Sequence, residues 1–121
     1  MRTMATPSIP LEQMEAAARE ACGLLKVLSN PDRLLILCHL AQGEANVGEI
    51  EASLGIMQPT LSQQLTVLRA EELVNTRREG KNIYYSLAGT KALAVIETLY
   101  RQFCAGADGR ARPRSRARSK D

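Results

Sequence analysis

The chain has 121 residues and a formal net charge of +3, which leaves room for one small domain. Its aromatic residues are one Phe and three Tyr, so aliphatic side chains must fill the core, which favours helices over a sandwich or barrel. No apolar run of about 18 residues is present to cross a membrane, and residues 1–10 lack the apolar stretch of a secretory signal.

The positive charge is concentrated at the carboxyl end. Residues 108–121 carry six basic and two acidic side chains, whereas residues 1–107 carry 10 basic and 11 acidic ones. Any affinity for DNA must therefore come from locally clustered cations in the nearly neutral body, with a possible contribution from the tail. Residues 106–121 are predicted to be a disordered Arg-rich tail and residues 1–10 a flexible arm.

Residues 11–105 are predicted to form the domain, which begins with two helices. Apolar residues at three- and four-residue spacings from Leu11 to Leu28 predict an amphipathic first helix. Asn30 is a good helix cap and Pro31 fits a first helical position, so the second helix starts there and ends before Gly43.

Two shorter helices follow. Asn46 and Glu49 have the spacing of a capping box for a third helix, which ends at Gly55. A fourth helix starts near residues 58–59, with Leu61, Leu65 and Leu68 on one face.

The sequence pattern after the fourth helix is that of a β-hairpin. Residues 74–78 and 83–87 read as strands around a turn that contains Gly80. A last helix begins near Thr90. The predicted fold is thus mainly α with a small β-hairpin, in the order of four helices, hairpin and helix.

The third and fourth helices, joined by a short turn, are typical of a helix-turn-helix. The exposed start of the fourth helix carries polar residues suited to base contacts: Gln58, Thr60, Ser62, Gln63 and Gln64. Gln can pair with adenine through two hydrogen bonds, each good pair discriminating by about 1–3 kcal/mol. An ordinary solvated helix face is the alternative interpretation.

The hairpin strengthens the DNA-binding interpretation. Arg77, Arg78 and Lys81 surround its turn, and such a cationic ribbon can reach the flanking minor groove or the backbone. A hairpin kept soluble by its charges is the alternative. Both elements in this order predict a winged helix-turn-helix.

Three segments resemble the ArsR/SmtB repressors: LSNPDRLLIL at the second helix, LSQQLTVLR in the fourth, and LVNTRREGKNIYYSL in the hairpin. The resemblance covers about residues 11–104. It implies a homodimer formed through the first and last helices that binds pseudo-palindromic double-stranded operator DNA, with half-sites about 34–36 Å apart. Gln64 departs from the family, which often has His there, so the preferred base can differ.

Metal sensing is not favoured. The third helix, VGEIEASL, lacks the Cys-x-Cys pair of metal-sensing members, and the last helix lacks the Asp and His ligands of zinc sensors. The single His is His39, whereas a zinc site needs about four ligands. No metal or other cofactor is therefore predicted, although metal or metalloid sensing through cysteines stays an alternative.

Two cysteines remain as candidate sensors. Cys38 in LLILCHL and Cys104 in YRQFC match the places of the cysteines in the sulfur-sensing (BigR/SqrR/HlyU-like) branch of the family. The resemblance implies that reactive sulfur species or oxidation join the two thiols through a di- or polysulfide bridge and release DNA. A redox-insensitive regulator with structural cysteines is the alternative, and Cys22 is expected to be a packing residue.

No catalytic function is predicted, because the sequence has no C-x-x-C pair, phosphate loop, paired acidic site or nucleophile near a His. A helical protein-interaction module is the main rival class. Three cysteines without a dense framework favour a reducing cytoplasm, and no membrane partner is expected.

Overall fold

The computed structural model describes residues 8–105, which form five α-helices and a three-stranded antiparallel sheet. In chain order the elements are α1 (Leu11–Leu28), α2 (Pro31–Leu40), β1 (Ala45–Asn46), α3 (Val47–Leu54), α4 (Thr60–Ala70), β2 (Val74–Glu79), β3 (Asn82–Leu87) and α5 (Lys91–Tyr100). A π-helical turn, Arg101–Ala105, continues α5. The predicted order is confirmed, whereas the predicted tail and most of the predicted arm lie outside the described residues.

Local hydrogen bonds set the beginnings of α2 and α3. The Asn30 side chain accepts from the Arg33 amide at 3.0 Å. The Asn46 side chain accepts from the Glu49 amide at 2.8 Å, and the Glu49 carboxylate accepts from the Asn46 amide at 2.9 Å, which is the predicted capping box. Gly55 ends α3 with φ +72°, a left-handed conformation in which a glycine avoids the steric cost of a Cβ.

The sheet ties the hairpin to the segment that precedes α3. Its strand order is β1-β3-β2, with Ala45 opposite Tyr85 and Arg77 opposite Tyr84. Two residues are too few to show the alternating pattern of a strand, so the sequence did not reveal β1. The wing, which we define as residues 74–87, is consequently anchored along β3 to the helix-turn-helix.

The core lies where the helix-turn-helix packs against α2. Ile36 and Leu37 of α2, Ile50 of α3, and Leu61 and Leu68 of α4 are its fully buried large side chains. Burying a side chain of this size stabilises the fold by about 1.5–3 kcal/mol. This packing holds α4 in a fixed position relative to α2 and α3.

The first helix is covered by the rest of the chain only near its end. Val27 and Leu28 are its buried residues, whereas Leu11 is 67 % and Leu25 55 % exposed. The expectation that Cys22 is a packing residue does not hold within one chain, because Cys22 is exposed. An apolar row along α1, defined by Leu11, Met14, Ala18, Cys22 and Leu25, therefore has no cover within the described chain.

Candidate nucleic-acid interface and thiol pair

Helix α4 has one buried and one exposed face. Leu61, Leu65 and Leu68 point into the core, because they recur at the three- and four-residue spacing of a helix. The predicted contact residues Thr60, Ser62 and Gln63 are exposed. The helix thus presents a short polar surface in its first two turns, where helix-turn-helix proteins contact bases.

Gln58 lies in the turn before α4 and is engaged with the start of that helix. Its Oε1 accepts from the Ser62 amide at 3.0 Å and from the Ser62 hydroxyl at 2.6 Å. The first amides of a helix lack partners within the helix, so this contact caps α4. The NH₂ group of Gln58 is the part of its side chain that stays free for an external contact within the described structure.

Gln64 is half-buried and bonded to a residue that sequence reasoning missed. Arg33 of α2 donates from Nη1 to Gln64 Oε1 at 3.0 Å, and from Nε to the Val27 carbonyl at 2.8 Å. The guanidinium therefore links the end of α1 and the start of α2 to the contact surface of α4. Arg33 and Gln64 are 31 positions apart, and no local pattern in the sequence indicates that they meet.

The three predicted wing cations have different surroundings. The Arg77 guanidinium donates to both carboxylate oxygens of Glu44, at 2.8 and 3.0 Å, and to Glu79 at 2.9 Å. It also lies 4.7 Å from the centre of the Tyr84 ring. Its hydrogen bond to Glu44, and next the one to Glu79, raises the pKa of Arg77 further above its usual range. The hydrogen bond from Arg77 in turn lowers the pKa of the Glu44 carboxyl.

Two carboxylates, those of Glu44 and Glu79, consequently offset the charge of Arg77. Arg78 and Lys81 are exposed and form no ion pair or side-chain hydrogen bond within residues 8–105. They are the wing cations whose charge is available to a polyanion. Arg77 instead fixes the wing to the segment before α3, a role that Glu44, 33 positions away, makes possible.

The two predicted sensor thiols lie on α2 and in the turn that follows α5. Cys38 is half-buried against the core, whereas Cys104 is exposed in the π-helical turn. Burial raises the pKa of the Cys38 thiol, and the charge of the Cys104 thiolate raises it further. The charge of Cys104 thus bears on Cys38, although 66 positions separate the two residues in the sequence.

Within residues 8–105, no group of three or more His, Cys, Asp or Glu side chains is placed to hold a metal ion. The helices of the same range include none that is long and apolar enough to cross a membrane.

Comparison with known proteins places these features in a family. The profile described as "Bacterial regulatory protein, arsR family" matches residues 30–76, from the start of α2 into β2. The biofilm growth-associated repressor of Agrobacterium fabrum is 59 % identical over 97 residues, covering 80 % of this chain and 83 % of the relative. The transcriptional activator HlyU of Vibrio cholerae is 44 % identical over 94 residues, covering 78 % and 87 %.

Solved structures give the same result. The transcriptional repressor BigR from Xylella fastidiosa superposes with a TM-score of 0.74 at 50 % identity, over 80 % of this chain and 99 % of that one. A homodimeric winged helix-turn-helix DNA-binding domain from Mycobacterium bovis superposes with a TM-score of 0.67 at 30 % identity, over 92 % and 100 %. The predicted winged-helix fold is thereby confirmed.

Proposed function

The chain belongs to the ArsR family of bacterial transcriptional regulators, and on this premise we propose that it is a homodimeric repressor switched by a thiol pair. It binds pseudo-palindromic operator DNA through α4 and the wing. Reactive sulfur species, of which a persulfide is the model case, join Cys38 to Cys104 and cause release. The single observation that carries the switch is the placement of the two thiols, Cys38 half-buried on α2 and Cys104 exposed in the turn after α5, from where its charge bears on Cys38.

The DNA-binding part of the proposal rests on the exposed polar residues of α4 and on Arg78 and Lys81, the wing cations that form no ion pair within residues 8–105. Phosphate contacts from such cations position a protein on the duplex, whereas contacts to base edges specify the sequence. The repressor named from Agrobacterium fabrum and the BigR repressor support this role.

The dimer part rests on uncovered apolar surface. The apolar row of α1 is exposed, and so are Tyr100 at the end of α5 and Phe103 in the turn that follows. An apolar row left uncovered along a helix is typical of an interface. The homodimeric domain from Mycobacterium bovis supports assembly in pairs, which would give two α4 helices for two half-sites.

The chemistry assigns different roles to the two thiols. Cys104 is exposed and attacks the outer sulfur of a persulfide R–SSH, so that R–SH leaves and Cys104 becomes a persulfide. The Cys38 thiol then attacks the inner sulfur of Cys104–SSH and forms Cys38–S–S–Cys104 with release of H₂S. Two protein thiols lose two electrons in total, and R–SSH is reduced to R–SH and H₂S.

A bridge between these residues constrains the element that supports α4. Ile36 and Leu37 of α2 lie in the core beneath α4, and Arg33 of α2 bonds directly to Gln64. Tethering α2 to the end of α5 thus acts on both the packing and the contact surface of α4. A coupling free energy of about 1–3 kcal/mol would change operator affinity by roughly 5–150-fold.

The test compares Cys38→Ser, Cys104→Ser and, as a matched control, Cys22→Ser. Fluorescence anisotropy with labelled promoter DNA measures affinity before and after exposure to glutathione persulfide. We expect all three variants to bind when reduced, and only the wild type and Cys22→Ser to release DNA on treatment. Normal release from both Cys38→Ser and Cys104→Ser would rule out the dithiol switch.

Mass spectrometry of the treated protein identifies the product. A disulfide removes two hydrogen masses, and each additional bridging sulfur adds one sulfur mass. In protein treated with glutathione persulfide, we expect a cross-linked pair of peptides, one of which contains Cys38 and the other Cys104. Recovery of both thiols in free form from protein that has released DNA would contradict the mechanism.

A further inference from the structure

The contact between Arg33 and Gln64 determines which end of the Gln64 carboxamide faces outward. A guanidinium has hydrogen-bond donors and no acceptor, so the group that meets Arg33 Nη1 must be Oε1 rather than the NH₂ group. The amide orientation is therefore set by chemistry. Nε2 is then the end turned away from this contact with Arg33, and it donates to no group among residues 8–105.

Arg33 is itself held in place. Its Nε donates to the Val27 carbonyl at 2.8 Å, so the guanidinium is fixed at two points before any DNA is present. Both of its contacts are partly buried, where a hydrogen bond is stronger than in open water.

The orientation matters because a free Gln and a fixed Gln read different bases. A bidentate contact to adenine uses Oε1 to accept from N6 and Nε2 to donate to N7. Oε1 keeps a second lone pair, but it is turned toward Arg33, so the end left to meet a base is the NH₂ donor. Guanine presents two adjacent acceptors, O6 and N7, to such a donor. Gln64 lies one turn after the exposed residue Thr60 on the same face of α4, which is the face proposed to meet the operator.

We propose that Arg33 is a positioning residue for base recognition, which holds Gln64 with its NH₂ group outward so that it selects guanine over adenine. The inference rests on the proposed DNA-binding function and adds to it a residue outside α4 and the wing. It also changes the expectation for Gln64, which by itself would favour adenine.

The experiment measures the base preference at every operator position with a library of single-base variants of the operator. The proteins are the wild type, Arg33→Met, Gln64→Met and the double variant. Arg19→Met is the control, because it removes an exposed cation from α1 that forms no ion pair among the described residues. Gln64→Met identifies the position in question as the one at which preference disappears.

At that position we expect the wild type to prefer guanine by roughly fivefold, the lower end for a base contact, because one donor group acts alone. Arg33→Met should shift the preference there toward adenine and leave the other positions unchanged, whereas Arg19→Met should change the preference at no position. In the double variant the preference should match that of Gln64→Met, which a general structural effect of Arg33 would not produce.

Three results would overturn the inference: a wild-type preference for adenine at this position, no position affected by Gln64→Met, or an Arg33→Met effect that persists without Gln64. The first two need no Arg33 variant, so they decide the matter even if Arg33→Met does not fold. A wild-type protein without any sequence-specific binding would instead overturn the proposed function, and the inference with it.

Discussion

Cys38 and Cys104 differ in their exposure, which decides how readily an oxidant in solution reaches each thiol. Cys38 is half-buried on α2, and both burial and the neighbouring Cys104 charge disfavour its ionised form. Cys104 is exposed at the end of α5. This difference supports an order of reaction in which Cys104 meets the oxidant and Cys38 resolves the adduct.

The raised pKa of Cys38 predicts its pH dependence. The thiolate attacks alkylating reagents, so at neutral pH Cys38 should react more slowly than an ordinary exposed thiol, and its rate should keep rising above the usual cysteine pKa of about 8.5. Cys104→Ser should move the rate profile of Cys38 partly back toward lower pH, because it removes the neighbouring charge but not the burial. Iodoacetamide labelling followed by mass spectrometry gives both profiles.

Cys22 in the same samples is the internal control for reagent activity, because it lies on α1, a different helix from Cys38 and Cys104. An unchanged Cys38 profile in Cys104→Ser would contradict the electrostatic contact between the two thiols.

Arg77 shows how a predicted DNA contact is modified by its neighbours. Two carboxylates, from Glu44 and Glu79, already neutralise it, whereas Lys81 has no such partner among the described residues. Because counterion release depends on charge that reaches phosphates, Lys81→Ala should reduce the salt slope of operator binding by about 0.9 for each phosphate that the lysine neutralises in the wild type. Arg77→Ala should reduce that slope by less.

The measurement is affinity for promoter DNA over a range of salt concentrations. Equal slopes for Arg77→Ala and Lys81→Ala would contradict the distinction between the two cations. Wild-type binding with no salt dependence would favour the protein-interaction module over a DNA-binding protein.

At the scale of helices and strands, the sequence revealed the contacts between residues that are close together in the chain. The caps of α2 and α3 involve residues three positions apart, so Asn30 and the pair Asn46 and Glu49 were recognisable in the sequence. The contact of Arg33 with Gln64 and that of Arg77 with Glu44 span 31 and 33 positions, so they depend on the tertiary packing. The sequence thus indicated the candidate contact residues, which stay a prediction, whereas the distant partners that orient Gln64 and Arg77 were not recognisable in it.

The capping box of α3 has a testable energy. Asn46→Ala removes the acceptor for the Glu49 amide, and loss of such a cap costs about 1 kcal/mol of the free energy of unfolding. Asn46→Ser keeps an acceptor at that position and should lose much less. Urea denaturation at one fixed protein concentration gives both values, because the stability of a dimer depends on concentration.

A loss for Asn46→Ser as large as that for Asn46→Ala would contradict the role of the cap. A changed slope of the free energy of unfolding against urea concentration would indicate that the denatured or native state had changed instead.

At the scale of the whole molecule, one chain leaves its longest helix largely exposed. Of the 18 residues of α1, Val27 and Leu28 alone are buried within the described structure. Helices gain most of their stability in proteins from packing of an apolar face. The apolar row of α1 therefore needs a cover, and a second copy that presents the same row provides one in a symmetric dimer.

This argument predicts opposite outcomes for two substitutions on the same helix. Leu25→Glu places a carboxylate in the apolar row, where each copy would have to bury it, and an unpaired buried charge is strongly unfavourable. Ala16→Glu introduces the same charge on the other side of α1, outside the row. Sedimentation equilibrium should show that Leu25→Glu shifts the protein toward monomer, while Ala16→Glu remains dimeric.

Operator binding follows from the same geometry, because a monomer brings one α4 to one half-site. Leu25→Glu should therefore lose affinity for a two-half-site operator far more than for a single half-site, and Ala16→Glu should lose neither. A dimeric Leu25→Glu protein with full operator affinity would exclude the α1 row from the interface. In that case the cover for α1 would have to come from a surface other than the same row of a second copy.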